Sequence, residues 1–354
     1  MEKIRVLVVD DSLTVRKRIV EVLGADPALE VIAEADNGKR AIDLCQALRP
    51  DVITLDMMMP VMTGVAVTEY VMAYFPTPIL IVSASTNRGE LFKTYEALAA
   101  GALDVLEKPS SQDVGGEWER KLTSTVKLIS RIKVITHPRA RLMQPRIDRD
   151  ESPDNASVAR SEYEIVAIGA STGGPGAVLD VLRRLPPDFP LPILLLIHLA
   201  EPFAMALAEW LDGQSPLRVR YARDREPIPT AGVVMAPAGK HLVVSQRQLR
   251  LTTDPERHSC RPSVDVLFES ITREFGSHSI NCLLTGMGKD GAAGLLGARK
   301  AGAMTIAQNE SSSVVFGMPG EAVRIGAATR VLSIENISRE LVQLTGTMEV
   351  RRRI

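Results

Sequence analysis

Short apolar, β-branched runs alternate with segments of helical periodicity through the first part of the chain. The apolar runs are KIRVLVVD, LEVIAEA, DVITLDM, PILIVSA and ALDVLEK. Between the first two runs, Val15, Ile19, Val22 and Leu23 recur at the spacing of one helical face. Five such units predict a doubly wound parallel sheet with helices on both faces, an α/β fold.

The pattern changes after this first domain. A helical segment, EWERKLTSTVKLISRIKVIT, leads into a stretch with several prolines and no sustained periodicity. Such a stretch is typical of a linker. The sequence therefore predicts a first domain over residues 1–125 and a linker over residues 126–160.

The alternation of strands and helices resumes near Tyr163 and predicts a second α/β domain over residues 161–350. Its apolar runs include YEIVAIGA, LPILLLIHL, LRVRYAR and SINCLLTG. In its middle, GVVMAPAGKHLVVSQRQLRLTT consists of short strand-like runs separated by glycine-containing turns. That segment predicts a β-hairpin inserted into an otherwise parallel sheet.

The composition argues against a nucleic-acid-binding protein, a membrane protein and a disulfide-rich protein. A net charge of −1 over 354 residues offers no overall field for nucleic acid or an anionic membrane surface. The longest apolar runs, such as ILLLIHLA, are too short to span a bilayer, which predicts no membrane insertion. Three scattered cysteines without a C-x-x-C spacing favour neither a disulfide framework nor a structural zinc site. A cytoplasmic protein is expected.

Polar side chains close four of the five strands of the first domain: Asp10 and Asp11, Asp56, Ser83, and Lys108. Because the carboxyl ends of parallel strands share one sheet edge, these side chains should converge. Three carboxylates repel one another unless a hard dication lies among them, and such oxygen ligands suit Mg²⁺. One carboxylate could then attack a phosphoryl group while the ammonium neutralises charge.

These residues make the first domain similar to a response-regulator receiver domain. The resemblance implies the following roles: phosphoacceptor for Asp56, Mg²⁺ ligation for Asp10, Asp11, Asp56 and the backbone carbonyl of Met58, switch hydroxyl for Ser83, and phosphate sensor for Lys108. Where receivers often carry a switch aromatic residue, this chain has Val105, which argues against transmission through an aromatic rotamer.

The segment VAIGASTGGPG, starting at Val166, sets a serine in a glycine-rich turn between a predicted strand and a predicted helix. Its glycines match neither dinucleotide-binding nor P-loop spacing, and no lysine is placed for a phosphate. It does contain G-x-S-x-G around Ser171, the pattern of a nucleophile elbow. A tight glycine turn without catalysis is the alternative.

A serine nucleophile requires a base and an orienting acid. His198 ends the next strand, and Asp290 follows a later one in the segment LLTGMGKDGAAG, so both could reach the edge that carries Ser171. Taken singly, His198 could be structural and Asp290 a helix N-cap. A cysteine hydrolase built from Cys260 with His258 or His241 is a further alternative.

The order Ser, His, Asp differs from the Ser, Asp, His order of α/β-hydrolases. The whole chain instead resembles the chemotaxis protein-glutamate methylesterase (CheB) family, through GASTGGP, His198, MAPAGKHL, CRPSVDVLF, TGMGKDGAAG and FGMPGEAV. The resemblance implies that Ser171 is the nucleophile, His198 the base and Asp290 its partner. It also implies that Thr172 and Met287 line the site or its oxyanion side.

The same resemblance implies a function and its partners. It indicates hydrolysis of glutamate γ-methyl esters on the cytoplasmic helices of chemoreceptors, without a cofactor in the esterase site. Glutamine deamidation is implied as a second activity. The receiver would control the esterase after phosphorylation by a chemotaxis histidine kinase, with Mg²⁺ at the receiver. The competing class is a non-enzymatic response regulator whose second domain only binds a partner.

Overall fold

The computed structural model describes residues 3–84, 87–109, 116–132, 134 and 162–346. The chain divides into two compact units, Met1–Pro145 and Arg146–Ile354. Most of the predicted linker lies outside the described residues, and the last helix of the first unit continues to Ile129. The domain boundaries at 125 and 160 therefore stay predictions.

The first unit is built on a five-stranded parallel sheet with the order β2-β1-β3-β4-β5. The strands are β1 (Ile4–Val9), β2 (Leu29–Ala35), β3 (Val52–Leu55), β4 (Ile79–Ser83) and β5 (Asp104–Glu107). The helices are α1 (Leu13–Gly24), α2 (Gly38–Leu48), α3 (Gly64–Tyr74), α4 (Arg88–Ala99) and α5 (Glu117–Ile129). The strand order reverses between β1 and β3, which is where doubly wound sheets bind ligands.

Helix starts in this unit are set by polar side chains that accept hydrogen bonds from the first turn. Ser12 caps α1 in this way, Asn37 caps α2, Thr63 caps α3 and Asn87 caps α4. Each cap satisfies a backbone N–H that would otherwise lack a partner. These caps therefore fix the residue at which each helix begins after the strand that precedes it.

The second unit contains a seven-stranded parallel sheet with the order β14-β13-β12-β6-β7-β9-β8 and a separate antiparallel hairpin, β10-β11. The sheet strands are β6 (Ile165–Ala170), β7 (Pro192–Ile197), β8 (Val219–Tyr221), β9 (Gly232–Met235), β12 (Ser279–Leu283), β13 (Met304–Gln308) and β14 (Arg330–Leu332). The hairpin strands are β10 (His241–Ser245) and β11 (Gln248–Thr252), so the predicted insertion is confirmed.

Seven helices cover this sheet in the described part of the second unit. They are α6 (Gly174–Arg184), α7 (Glu201–Ala204), α8 (Leu207–Gln214), α9 (Val264–Phe275), α10 (Ala292–Lys300), α11 (Met318–Arg324) and α12 (Ile334–Leu344). The segment PFAMALAEWL, expected as one helix, is divided between α7 and α8. Within the described residues, no helix combines the length and the apolar composition that crossing a membrane requires.

The core of the second unit lies between the sheet, α9 and the hairpin. Leu267, Phe268 and Ile271 of α9 are fully buried against residues of β6, β7 and β10. Burying a large aliphatic or aromatic side chain contributes about 1.5–3 kcal/mol. The hairpin is also tied to α9 by a hydrogen bond of 3.0 Å from the Val244 amide to the Ser270 hydroxyl. This packing fixes the position of α9, whose first turn reaches the candidate site.

Candidate active site

Ser171 and His198 follow directly after two neighbouring strands, β6 and β7. Ala170 pairs with Ile197 in the sheet register, and the amide of His198 donates to the carbonyl of Ala170 over 3.0 Å. Adjacent strands lie about 4.8 Å apart, so the two predicted residues are neighbours at the sheet edge. This edge also contains the reversal of strand order between β6 and β12, the usual binding position of such sheets.

Two glycines of the G-x-S-x-G segment are required by the packing around Ser171. A Cβ atom at Gly169 would lie 2.3 Å from Cγ1 of Val264, because the first turn of α9 presses against the end of β6. Gly173 has a φ of +74°, and a Cβ there would lie 2.5 Å from Cβ of Val314. The segment therefore forms a sharp strand-to-helix turn that only glycine permits.

Asp290 approaches the imidazole of His198 from the loop that follows β12. Its Oδ2 lies 3.0 Å from Nε2 of His198, and the approach is too bent to count as a regular hydrogen bond. The carboxylate is buried, and the His198 side chain keeps 15% of its surface exposed. The pair is thus an ion pair at the rim of the sheet, open to solvent on the histidine side.

Asp290 is held by the amino-terminal end of α9. Its Oδ1 accepts hydrogen bonds from the Ser263 hydroxyl (2.7 Å) and the Asp265 amide (3.1 Å), and its Oδ2 accepts one from the Val264 amide (2.7 Å). Burial raises the pKa of Asp290, but His198, Ser263 and the backbone donor outweigh it and lower the pKa. Asp290 is therefore ionised at neutral pH. Sequence reasoning missed Ser263, although it lies within the quoted block CRPSVDVLF.

An ionised Asp290 decides which nitrogen of His198 can act as a base. The carboxylate only accepts hydrogen bonds, so in the neutral ring Nε2 carries the proton and Nδ1 carries the lone pair. Burial disfavours the charged imidazole, but Asp290 and Cys260 outweigh it and raise the pKa of His198 to about 9. The ring is consequently protonated at neutral pH before substrate binds.

The Ser171 hydroxyl makes no hydrogen bond to His198 in the described part of the chain. Catalytic hydrogen bonds are often long or absent before substrate binds. The atom that faces Nδ1 of His198 here is Sγ of Cys260, at 3.9 Å. The structure brings Ser171, His198 and Asp290 to one edge, and their catalytic roles stay predictions.

Thr172 and Met287 lie in two loops that meet beside Ser171. Within the described residues, neither of their amides donates a hydrogen bond, so both are available to an oxyanion. The two loops are joined by Thr285, whose Oγ1 lies 3.0 Å from the Thr172 carbonyl and 3.2 Å from the Val315 carbonyl. Free amides in a fixed loop suit the stabilisation of a developing negative charge.

The alternative of a cysteine hydrolase requires Cys260 as the nucleophile, with His258 or His241 as its base. His241 is buried, and its Nδ1 accepts from the Ser263 amide. His258 contacts Asp265 through Nε2 over 3.1 Å. Cys260 faces the ring of His198 instead, so alkylation of this thiol would also cover Nδ1 of that ring, whichever residue is the nucleophile. Loss of activity on alkylation therefore does not identify a cysteine hydrolase.

In the first unit, the predicted acidic pocket is present at the edge of the five-stranded sheet. Nζ of Lys108 lies 3.0 Å from carboxylate oxygens of both Asp10 and Asp56. Burial is the main reason that the pKa of Asp56 rises to about 6, against the attraction of Lys108 and together with the repulsion of Asp10. Asp56 is consequently mostly ionised at neutral pH, as a nucleophile must be.

The donors in this pocket fit a hard dication. Asp10, Asp11 and Asp56 each offer a carboxylate oxygen, and these oxygens lie within 4.8 Å of one another. Oδ2 of Asp10 is buried and makes no regular hydrogen bond, although Lys108 stands nearby. A buried carboxylate oxygen of this kind is what Mg²⁺ ligation uses.

Ser83 and Val105 lie on the neighbouring strands β4 and β5. The Ser83 hydroxyl donates to Oε1 of Glu90 over 2.8 Å, and both residues are buried. Sequence reasoning missed Glu90, which lies in the first turn of α4. Val105 lies in β5, and its side chain is buried.

Together the two folds define a response regulator joined to an α/β output domain. A family model described as CheB methylesterase matches residues 166–341, and a model of the response regulator receiver domain matches residues 6–115. A protein-glutamate methylesterase/protein-glutamine glutaminase of Anaeromyxobacter dehalogenans is 44% identical over 97% of both chains. One from Nitrosospira multiformis is 43% identical over 96% of this chain and 97% of its own.

A solved structure is also similar to the second unit. The Thermotoga maritima CheB methylesterase catalytic domain is 34% identical, with a TM-score of 0.50, and covers 51% of this chain and 98% of its own. The chain therefore belongs to the CheB methylesterase family and carries a receiver domain ahead of the catalytic domain. The predicted fold class and family resemblance are confirmed.

Proposed function

We propose that this protein hydrolyses glutamate γ-methyl esters on methyl-accepting chemoreceptors under the control of receiver phosphorylation. Its relatives are named protein-glutamate methylesterases and protein-glutamine glutaminases. The observation that carries the proposal is the common sheet edge of Ser171, His198 and Asp290, in which Asp290 lies 3.0 Å from the imidazole of His198. The test is methanol release from a methylated receptor fragment, with Ser171→Ala as the comparison.

In the proposed reaction, Ser171 Oγ attacks the ester carbonyl while its proton passes to Nδ1 of His198. The tetrahedral intermediate expels methoxide, which takes the proton from Nδ1 and leaves as methanol. Water then gives a proton to the same nitrogen, attacks the acyl-enzyme and restores glutamate and Ser171. Asp290 stabilises the imidazolium without accepting its proton. The amides of Thr172 and Met287 would receive the oxyanion.

Glutamine deamidation follows the same steps in this proposal. The glutamine side chain offers a carbonyl of the same size, and ammonia replaces methanol as the leaving group. His198 must then protonate a nitrogen rather than an oxygen. Both reactions give the same acyl-enzyme on Ser171 and need no group beyond those at this edge.

The pH dependence of turnover should report the raised pKa of His198. Only the neutral ring accepts the Ser171 proton, so kcat/KM should increase as the pH rises and level off above the pKa of about 9. The measurement is kcat/KM for methanol release between about pH 6 and pH 10. An ascending limb centred near the ordinary histidine value of about 6.5 would contradict this assignment.

Phosphorylation of the receiver is the proposed control. The site would use Asp56 as phosphoacceptor, with Mg²⁺ held by Asp10, Asp11, Asp56 and the Met58 carbonyl to neutralise charge on the phosphoryl oxygens. Nζ of Lys108 lies 3.0 Å from the Asp56 carboxylate and can form an ion pair with a phosphoryl group attached there. The Ser83 hydroxyl has one proton, so a hydrogen bond to the phosphoryl group would replace its hydrogen bond to Glu90. This exchange is a way to transmit the signal without a switch aromatic.

An Asp56→Asn variant should keep basal esterase turnover and lose its response to a small phosphodonor such as acetyl phosphate. The amide cannot form the acyl phosphate, whereas the second domain is unchanged. The measurement is methanol release with and without acetyl phosphate, in the presence and absence of EDTA. Asp51, an exposed residue of the same unit, supplies the matched control Asp51→Asn. Equal stimulation of wild type and Asp56→Asn would contradict the proposal.

The proposed partners are the cytoplasmic helices of chemoreceptors, as substrate, and a chemotaxis-type histidine kinase, as phosphodonor. The family membership and the receiver pocket support these partners, and we propose a cytoplasmic location with them. The non-enzymatic alternative is not favoured, because relatives covering 97% of this chain are named as enzymes.

A further inference from the structure

Cys260 is the one described cysteine with access to solvent. Cys45 and Cys282 are fully buried, whereas Cys260 is partly exposed. Its Sγ lies 3.9 Å from Nδ1 of His198. Cys260, His198 and Asp290 each place a sulfur, nitrogen or oxygen atom within 4.8 Å of the others. This thiol therefore belongs to a cluster of reactive groups rather than standing alone.

The thiol is held in place by a tight turn. Arg257 and Cys260 exchange two backbone hydrogen bonds of 3.2 and 2.9 Å, and the residues between them, His258 and Ser259, have φ values of 54° and 59°. His258 is anchored to the buried Asp265 over 3.1 Å. Ordering non-glycine residues in this conformation costs free energy, so the surrounding contacts fix the turn. The position of Sγ beside His198 is thus built into the fold.

We propose that Cys260 is a reversible thiol-modification site that switches off the esterase by occupying the base side of His198. This inference rests on the proposed function of His198 as the base. The modifying reagent would be a small disulfide. A low-molecular-weight disulfide suits the site because the thiol is partly exposed and a nearby imidazole can take its proton.

The chemistry is thiol–disulfide exchange. In the neutral form of the His198 ring, Nδ1 accepts the thiol proton, and the electron pair on Sγ attacks one sulfur of the small disulfide. The disulfide bond breaks as the new bond to Sγ forms, and the other half leaves as a thiolate that takes up the proton. A thiol reductant reverses the exchange, so the protein returns to its free form.

The adduct would prevent Nδ1 of His198 from accepting the proton of Ser171. Nε2 of His198 faces Asp290 at 3.0 Å, so Nδ1 is the only ring nitrogen that can accept the Ser171 proton. A group attached to Sγ, 3.9 Å from Nδ1, would stand where Ser171 and the substrate must meet the ring. Loss of the general base alone is expected to cost about 100-fold or more in rate.

The experiment treats the full-length protein with 4,4′-dithiodipyridine, removes excess reagent, and measures methanol release and intact mass before and after dithiothreitol. Cys260→Ser is the test variant, and Cys45→Ser and Cys282→Ser are matched controls that each remove one buried thiol. Each variant is compared with its own untreated sample. Turnover by the untreated wild type reports the proposed function separately from the inference.

We expect one adduct on the wild type, on Cys260, with at least a 100-fold loss of turnover that dithiothreitol restores. The Cys45→Ser and Cys282→Ser variants should be inhibited like the wild type, and Cys260→Ser should be unaffected. Full activity with Cys260 modified, equal inhibition of Cys260→Ser, or no adduct on Cys260 would each overturn the inference. An untreated wild type without turnover would refute the proposed function instead.

Discussion

Replacing Ser171 by alanine should lower kcat for methyl ester hydrolysis by about 10⁴-fold or more, because no acyl-enzyme can form. The residual rate should reflect only the oxyanion donors and substrate binding. The measurement is methanol release from a methylated chemoreceptor fragment by the full-length protein. The loops are close here, since a Cβ atom at Gly286 would lie 2.8 Å from Cβ of Ser171. Alanine is smaller than serine and fits this space without a clash.

Ser245→Ala is the matched control, since Ser245 is an exposed serine at the end of β10. It should keep wild-type turnover, and both variants should unfold at the wild-type temperature. The outcomes also separate the alternatives. Turnover by Ser171→Ala that disappears in Cys260→Ala would indicate a cysteine hydrolase. A wild type without turnover that still binds the receptor fragment would indicate a binding module.

Replacing Asp290 by asparagine should lower kcat by about 10⁴-fold, through the tautomer of His198. Three donors already point at the carboxylate: the Ser263 hydroxyl and the amides of Val264 and Asp265. If the new NH₂ group faces His198, it donates to Nε2, which moves the ring proton to Nδ1 and removes the base. In that orientation the Val264 amide loses its acceptor, whereas an NH₂ group at the Oδ1 position would remove the acceptor of the Ser263 hydroxyl and the Asp265 amide.

The measurement is kcat and KM for methanol release, with thermal unfolding as a second readout. A tautomer effect lowers kcat with little change in KM. Ser263→Ala removes one donor to Asp290 and also the cap of α9 that accepts from the Val266 amide. We expect kcat to fall about 10- to 100-fold, from about 1.5–3 kcal/mol for a hydrogen bond to a charged group. Ser263→Thr keeps the hydroxyl and is its control. Asp290→Asn with a kcat within about tenfold of wild type would remove Asp290 from the mechanism.

The sheets and the strand-end residues could be predicted from the sequence. The central strands β3, β4, β6 and β7 are short runs that are buried throughout, and β3 and β7 end where the polar residues Asp56 and His198 begin. Because parallel strands share an edge, linear positions convert directly into spatial neighbours. The division of PFAMALAEWL between α7 and α8 was not predictable, since its apolar spacing continues across the break.

The partners of the strand-end residues could not be predicted from spacing alone. Ser263 precedes Asp290 by 27 residues, and its contact depends on how α9 packs against β6. Cys260 reaches His198 through a turn whose central residues, His258 and Ser259, adopt left-handed conformations without a glycine to indicate them. The tautomer of His198 depends on which ring nitrogen faces Asp290, which needs three-dimensional geometry.

Thr285 holds together the loops at the sheet edge that carries Ser171. Its Oγ1 lies near the carbonyls of Thr172 and Val315 and accepts from the Val315 amide over 2.9 Å, while its own carbonyl accepts from the Ser171 amide over 3.0 Å. The loops on both sides of Ser171 are thus ordered during folding. Substrate binding then loses little conformational entropy there, and the Ser171 and Val315 amides should exchange with deuterium together, at the rate of the sheet.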